Sequence, residues 1–467
     1  MAKNTEKLGR VLILGLGGTG AAVARYCAKR LGGRVESVTI VGGKASHEGP
    51  LAEELRSLGC TVQLGTEDIE GAYDLAVASP GISEFSSFFQ TAKEHASELI
   101  GEPEFAYRES PENWVAITGT NGKTTTTTLS CRLLEEAGMQ AETVGNIGTI
   151  ITSRLDERQE GSWFVAELSS FQLATTKKLH PKVAVLLNVT PDHIEWHKTL
   201  ENYAAAKEKI FQNLGEGDLA VISEDDKWCR AIAGRARARG VRVCSLSVKA
   251  EPEGPDATFL RGDELIVRLG GTEHDLLSRQ DMVLEGIHNA ENALAASALA
   301  LHVGVPVETV RQGLRSFHAL EHRIEPCGEA GGIRFVNDSK GTNTDAVEKA
   351  LEAFRPGHIV ILLGGHDKGT DLTSLAKKVA SRCRVAVCYG AAGPRIAEAI
   401  RAAGGTAEVL EEPHMREAFA RAVSVAIPED VVLLSPACSS FDEFHNMEER
   451  GELFKKLAAE YCAGVRS

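Results

Sequence analysis

The sequence predicts an α/β protein of three domains, and three observations carry that prediction. The chain has 467 residues, too many for one ordinary core at roughly 150 residues per domain. Short apolar, β-branched runs alternate with helical patterns along most of its length. Two glycine-rich turns each stand between a strand and a helix. Loop residues Ser110 and Pro111, and then His318, divide the chain into 1–110, 111–318 and 319–467.

The first part opens with the strand Val11 to Leu14, the turn Gly15-Leu16-Gly17-Gly18-Thr19-Gly20 and a helix over Ala21 to Lys29. Strands Ser37 to Val41 and Leu75 to Ala78 follow, so a parallel sheet is expected. The second part runs from strand Trp114 to Thr118 through the turn at Gly119, then strands Trp163 to Glu167 and Val183 to Asn188. Between about Leu219 and Val283 the patterns shorten, which predicts a smaller antiparallel portion. A helix with Ala-rich faces, Asn289 to His302, closes this part. The third part holds five strand candidates, Ile333 to Asn337, Ile359 to Leu363, Val385 to Tyr389, Ala407 to Leu410 and Val431 to Leu434. Helical segments separate them, as in a doubly wound sheet.

Composition narrows the function classes. With 43% hydrophobic and 25% charged residues the chain is not a disordered one. Lys and Arg number 51 against 65 Asp and Glu, a formal charge of −14. Each of the three parts is net negative, which argues against a nucleic-acid partner. Ten Cys are scattered without a CxxC pair, a pattern expected in a reducing compartment. The apolar runs are strand-length and MAKNTEKLGR is not followed by a signal-like segment. A cytoplasmic protein with no membrane partner is therefore expected.

Gly15-x-Gly17-x-x-Gly20 fits a turn that lets a pyrophosphate approach a helix N-terminus. The acidic residue that would hold an NAD ribose is missing, because the second strand ends Val41-Gly42-Gly43-Lys44. A tight turn needed only for packing is the competing reading. The second motif, Gly119-Thr120-Asn121-Gly122-Lys123-Thr124-Thr125, says more. Its N–H groups can cradle phosphates, Lys123 can neutralise β/γ oxygens and Thr124 can hold Mg²⁺. Two residues separate its glycines where the common phosphate loop has four. A nucleoside triphosphate is the expected ligand. Glu167 and His193 fall at the carboxyl ends of neighbouring strands, where ligands of open α/β sheets gather. Taken singly, each is an ordinary polar residue, and Lys207 an ordinary solvated helix lysine.

In order along the chain stand GTNGKTT, ELSSFQL, NVTPDH, ENYAAAK, GIHNAEN, HRIE, NDSKGTN, GGHDKGTD and SPACSSFD. Together they resemble the Mur ligase family, and within it the D-glutamate-adding branch; GNIG at Gly145 to Gly148 agrees, and the DNPR-type motif of the diaminopimelate- or lysine-adding branches is missing. The resemblance implies a Rossmann-like UDP-binding domain, a central P-loop-like ATPase domain and a Rossmann-like amino-acid-binding domain. It implies ATP-driven addition of D-glutamate to UDP-N-acetylmuramoyl-L-alanine by a monomer. Carried over residue by residue, Gly119 to Thr125, Asn289, Asn292, Arg323 and Asp338 would bind ATP. Thr124 and Glu167 would hold one Mg²⁺, and His193 with a carbamylated Lys207 a second. Lys123, His193 and Lys207 would be catalytic. Gly18, Thr19, Asn146 and His193 would meet the UDP substrate, and Lys340, Thr342, Lys368, Ser435 and Phe441 D-glutamate. The Gly43-Lys44 turn, Ile194-Glu195-Trp196 and Gly341 depart from the family pattern.

Three rival readings remain weaker. A folylpolyglutamate synthetase would not need α/β structure ahead of the phosphate loop. A dehydrogenase read from Gly15 to Gly20 lacks its ribose carboxylate. A non-catalytic nucleotide binder would not need the full set of Mg²⁺ ligands.

Overall fold

The computed structural model describes residues 6–317, 321–366 and 369–466. The His318 boundary and Lys368 lie outside the described residues. Three sheets organise the chain.

The first sheet contains β1 (Gly9–Leu14), β2 (Val35–Val41), β3 (Thr61–Gln63), β4 (Leu75–Ala78) and β5 (Leu99–Gly101), in the order β3-β2-β1-β4-β5. All its pairs are parallel. The chain reverses direction across the sheet between β1 and β4, which makes the end of β1 a topological switch point. The helix Gly18–Ala28 starts there.

The second sheet contains β6 (Trp114–Thr118), β7 (Ala141–Gly145), β8 (Trp163–Glu167), β9 (Val183–Leu186), β10 (Leu219–Ser223), β11 (Val243–Ser247), β12 (Ala257–Arg261), β13 (Glu264–Leu269) and β14 (Thr272–Ser278). The order β14-β13-β12-β11-β10-β9-β6-β8-β7 puts β6 between β8 and β9. The expected antiparallel portion is β12 to β14, and it continues the parallel sheet instead of standing apart. Every residue of β6 is buried, as a central parallel strand covered on both faces requires. The following helix, Lys123–Glu136, carries five consecutive threonines, poor helix formers, of which Thr124 to Thr127 are buried. Packing overrides propensity here.

The third sheet contains β15 (Glu325–Ala330), β16 (Ile333–Asn337), β17 (Ile359–Gly364), β18 (Val385–Tyr389), β19 (Glu408–Glu412) and β20 (Val431–Ala437). Its order is β15-β16-β20-β17-β18-β19, parallel except for the β15–β16 hairpin.

Two compact units result: Met1–Asp281 with Ala290–Ser316, and Met282–Asn289 with Phe317–Ser467. In the first unit, buried carboxylates join segments of its two sheets. Glu104, wholly buried on the helix after β5, accepts the backbone N–H groups of Lys177, Lys178 and Leu179. Glu102, also buried, accepts from the Thr152 N–H and hydroxyl, both at 2.7 Å. The ten cysteines are free thiols, eight of them buried. No described helix is long and apolar enough to cross a membrane.

Candidate active site

The phosphate loop leaves the carboxyl end of β6 and turns into the helix at Lys123. Gly122 caps that helix with φ +82°, and a Cβ there would lie 2.3 Å from Asn292 Oδ1 and 2.9 Å from Leu187 Cδ1. Only glycine accepts both the left-handed backbone and the approach. Asn188, just past β9, braces the loop: its Oδ1 accepts the Asn121 N–H at 2.8 Å and its Nδ2 donates to the Asn121 carbonyl. Thr120 is held through its hydroxyl, 3.0 Å from Tyr203 Oη and accepting the Thr190 N–H. Asn292 accepts the Thr126 hydroxyl, so this ATP-site candidate lies against the helix that the loop opens.

Register sets Glu167 beside the loop, because β8 pairs with β6 so that Glu167 faces Ile117. Glu167 is 1% exposed. Its Oε1 accepts Asn146 Nδ2 at 2.7 Å, whereas its Oε2 is buried with no hydrogen-bond partner among the described residues. An uncompensated buried carboxylate oxygen is costly. A cation bound there would remove the cost. Asn146, expected to meet the UDP substrate, is thereby tied to a metal-ligand candidate.

Lys207 is not a solvated helix lysine. It is 1% exposed, and Nζ donates to the Gly119 carbonyl at 2.8 Å and reaches Thr118 Oγ1 at 3.4 Å. Lys123 Nζ donates to the same Gly119 carbonyl at 3.0 Å and to that of Thr120 at 2.8 Å. Two ammonium groups on one oxygen would repel. Burial, reinforced by the Lys123 charge, drives the Lys207 amine well below the ordinary lysine range. Lys207 is therefore the more readily deprotonated of the two amines at the loop.

His193 has a left-handed backbone, φ +53°, at the start of the short helix Ile194–His197. Its ring is half-exposed and edges onto Phe171 at 4.7 Å. His197, fully buried, lies 2.9 Å from Ser170 Oγ through Nε2. Burial, then the Lys207 and His193 charges, pushes the His197 ring down to about 4, so it is neutral at physiological pH.

At the end of β1, Gly17 and Gly18 are exposed and Thr19 is half-buried. The third glycine of this motif is a packing residue, since a Cβ on Gly20 would sit 2.1 Å from the Gly15 carbonyl oxygen.

In the second unit, Asp338 follows β16, is buried and accepts the Ser435 hydroxyl at 2.6 Å. Arg323 shares its electrostatic environment, and Arg323 Nε is buried without a hydrogen-bond partner among the described residues. Asn289 donates to the Glu285 carbonyl and lines a cavity of about 560 Å³ with Leu284, Ile324, Val336 and Phe354. The D-glutamate candidates divide. Lys340 and Thr342 stand on the turn after β16, whose N–H groups point to His322 O and Lys340 O. Phe441 is 70% exposed. Ser435 lies within β20, which runs past the expected strand end at Leu434, and is fully buried with its hydroxyl donating to Asp338. The loop begins only at Cys438, because β20 runs on to Ala437. Gly341 has a reason here too, as a Cβ would lie 2.5 Å from Asp338 Oδ2 and 2.9 Å from Ser435 Oγ.

Burial raises the Asp338 carboxyl from 3.8 to about 6. Between those values the folded state binds more protons than the unfolded one, so stability falls as pH rises through the window. Asp338→Asn is expected to flatten that slope and raise the thermal midpoint at pH 7, while raising the KM for ATP. Calorimetry from pH 4 to 8 beside a kinetic assay checks both halves; an unchanged slope refutes the burial argument.

Sequence reasoning passed over Asn188, Tyr203, His197 and Arg450. The first two stand inside quoted motifs and could have been found there. Arg450 gave no signal. It is wholly buried, donating from Nε to Ser339 Oγ, from Nη2 to Ser339 O and from Nη1 to Cys438 O. It thereby ties the turn carrying Lys340 to the loop carrying Phe441. The stretch from Arg230 to Arg242 is a helix and loop surface where Arg235, Arg237 and Arg242 pair with Glu208, Glu224 and Asp256.

Comparison with known proteins gives the family. Residues 117–300 match the Mur ligase middle domain, and residues 322–438 the glutamate ligase domain of Mur ligases. A UDP-N-acetylmuramoylalanine–D-glutamate ligase of Pelotomaculum thermopropionicum is 40% identical over 96% of this chain and 97% of its own. One of the same name from Koribacter versatilis is 38% identical over 96% of each. Among solved structures, MurF from Acinetobacter baumannii aligns with a TM-score of 0.61 at 16% identity, covering 96% of this chain and 93% of its own. UDP-N-acetylmuramate-alanine ligase MurC from Thermotoga maritima aligns at 0.56 and 20% identity, covering 97% and 99%. These two share the fold.

Proposed function

We propose that this chain, which belongs to the Mur ligase family, works through the residues gathered around its phosphate loop. It is an ATP-dependent, amide-forming ligase that adds D-glutamate to UDP-N-acetylmuramoyl-L-alanine in peptidoglycan precursor synthesis. The observation that carries the site assignment is the unpartnered Glu167 Oε2 at the strand next to that loop.

The carboxylate of the nucleotide substrate attacks the γ-phosphate of ATP, giving an acyl phosphate and ADP. The D-glutamate amine then attacks the acyl carbon, and a tetrahedral intermediate expels phosphate and leaves the amide. Two anions must approach each other in the first step, so positive charge decides the rate. Lys123 leaves its loop carbonyls to neutralise the β/γ oxygens. Thr124 and Glu167 would hold one Mg²⁺, and His193 and Lys207 a second. Mg²⁺ there supplies charge screening and polarises the phosphoryl group. A protonated Lys207 would repel a cation. The neutral amine instead adds to carbon dioxide, loses one proton and becomes an anionic carbamate with oxygen donors. That carbamate would attract Lys123 instead of opposing it.

Gly18, Thr19 and Asn146 are assigned to the UDP substrate. Gly119 to Thr125 are assigned to the phosphates of ATP, and Asn289, Asn292, Arg323 and Asp338 to its adenine and ribose, as the family resemblance implies. Lys340, Thr342, Phe441 and Lys368 are assigned to D-glutamate, with Ser435 acting through Asp338. The division at 110/111 and 318/319 is proposed as the division of these tasks, in a cytoplasmic monomer.

The test is phosphate release from ATP with both substrates, and with each omitted. Release is expected only with the pair, and with D- but not L-glutamate. Release that ignores the pair, or prefers a folate, overturns the assignment.

A further inference from the structure

His193 precedes the short helix Ile194–His197 and Lys207 lies in the helix Leu200–Glu208, and something must hold the two in register. One buried ring touches all of the elements concerned. His197 stacks on Phe171 at 5.6 Å, packs on Trp196 at 4.4 Å and edges Tyr203 at 5.2 Å. Phe171 in turn packs against His193 at 4.7 Å. Tyr203 lies one helical turn before Lys207, whose Nζ is 4.6 Å from the Tyr203 ring centroid. The Nε2 contact to Ser170 Oγ at 2.9 Å joins the ring to the segment that leaves β8 three residues after Glu167.

Packing alone does not require histidine here. Nδ1 of His197 is buried without a hydrogen-bond partner among the described residues, and a phenylalanine would fill the same hole without that cost. The imidazole is retained for the bond that a phenyl ring cannot make, to Ser170.

We infer that His197 is a positioning residue which, through Ser170, Phe171 and Tyr203, fixes His193 and Lys207 relative to Glu167. The inference rests on the proposed metal reading of those three residues. Outer partners that orient a metal's ligands are worth roughly 10- to 100-fold in metal affinity. His197 acts at that level.

The test uses Mn²⁺ as the probe, titrated by electron paramagnetic resonance into the full chain with a non-hydrolysable ATP analogue. His197→Phe and Ser170→Ala are each expected to weaken binding about tenfold. The double variant is expected to bind no more weakly than either single one, and His197→Gln, which restores a hydrogen-bonding group, should lie nearer the parent. Thermal midpoints are read in parallel, because a merely structural role would lower them and leave Mn²⁺ affinity unchanged. Parent-like binding by His197→Phe, or additive losses in the double variant, overturns the inference. Lys207→Ala separates the two levels. If it weakens Mn²⁺ binding and His197→Phe does not, only the positioning role fails. If it binds Mn²⁺ like the parent, the metal reading falls and this role with it.

Discussion

Replacing Lys207 by Ala is expected to reduce phosphate release by more than about 100-fold, beyond what losing an outer partner of a metal costs. The buried amine shares the Gly119 carbonyl with Lys123. Lys207→Met controls for folding, since it fills the same volume and removes an amine that burial already penalises. It should match the parent in thermal midpoint and fail in catalysis. A small carboxylic acid added to Lys207→Ala should restore part of the rate, by supplying the oxygens that the carbamate would have provided. Depleting carbon dioxide should slow the parent reversibly. Full activity in Lys207→Ala would remove the carbamate role outright.

Glu167→Gln carries the second large effect. The change is isosteric, and the Gln carbonyl can still accept Asn146 Nδ2, as Oε1 does now. It places an N–H group where Oε2 is buried without a partner, so a donor replaces the electron pair that a cation needs. Phosphate release is expected to fall by on the order of 10² to 10³, the scale of losing one preorganised electrostatic contact in a closed site. Higher Mg²⁺ should recover part of it. Stability should hold or rise, because a buried charge has been removed. An unchanged Mg²⁺ dependence would show that Glu167 is structural.

The strands that locate the site were legible in the sequence because they lie inside their sheets and are mostly apolar. Trp114 to Thr118, Trp163 to Glu167, Ile333 to Asn337 and Val385 to Tyr389 match the observed bounds. The short or edge strands β3, β5 and β15 were not, for physical reasons. Three residues of Thr61–Gln63 or Leu99–Gly101 carry no period, and β15 contains Pro326 and Gly328, tolerated only at an edge. Ser435 was misplaced for a related reason, since a proline at 436 reads as the end of a strand and β20 carries on past it.

Side-chain roles divide along the same line. By itself the sequence determined the features whose cause is local. The phosphate loop follows from Gly119, Gly122 and the Lys123-Thr124 pair, because backbone freedom and helix-end geometry depend on neighbouring residues alone. The tertiary structure decided what depends on surroundings. A lysine reads as exposed and charged until a fold encloses it, and only enclosure beside Lys123 drives the Lys207 amine well below the ordinary lysine range. The same holds for Glu167, whose orphaned oxygen exists because β8 pairs with β6. It holds for Arg450, buried among the carbonyls of Ser339 and Cys438 from distant parts of the chain. Ionisation and hydrogen-bond satisfaction are set by desolvation and by partners remote in sequence, and the fold alone supplies both.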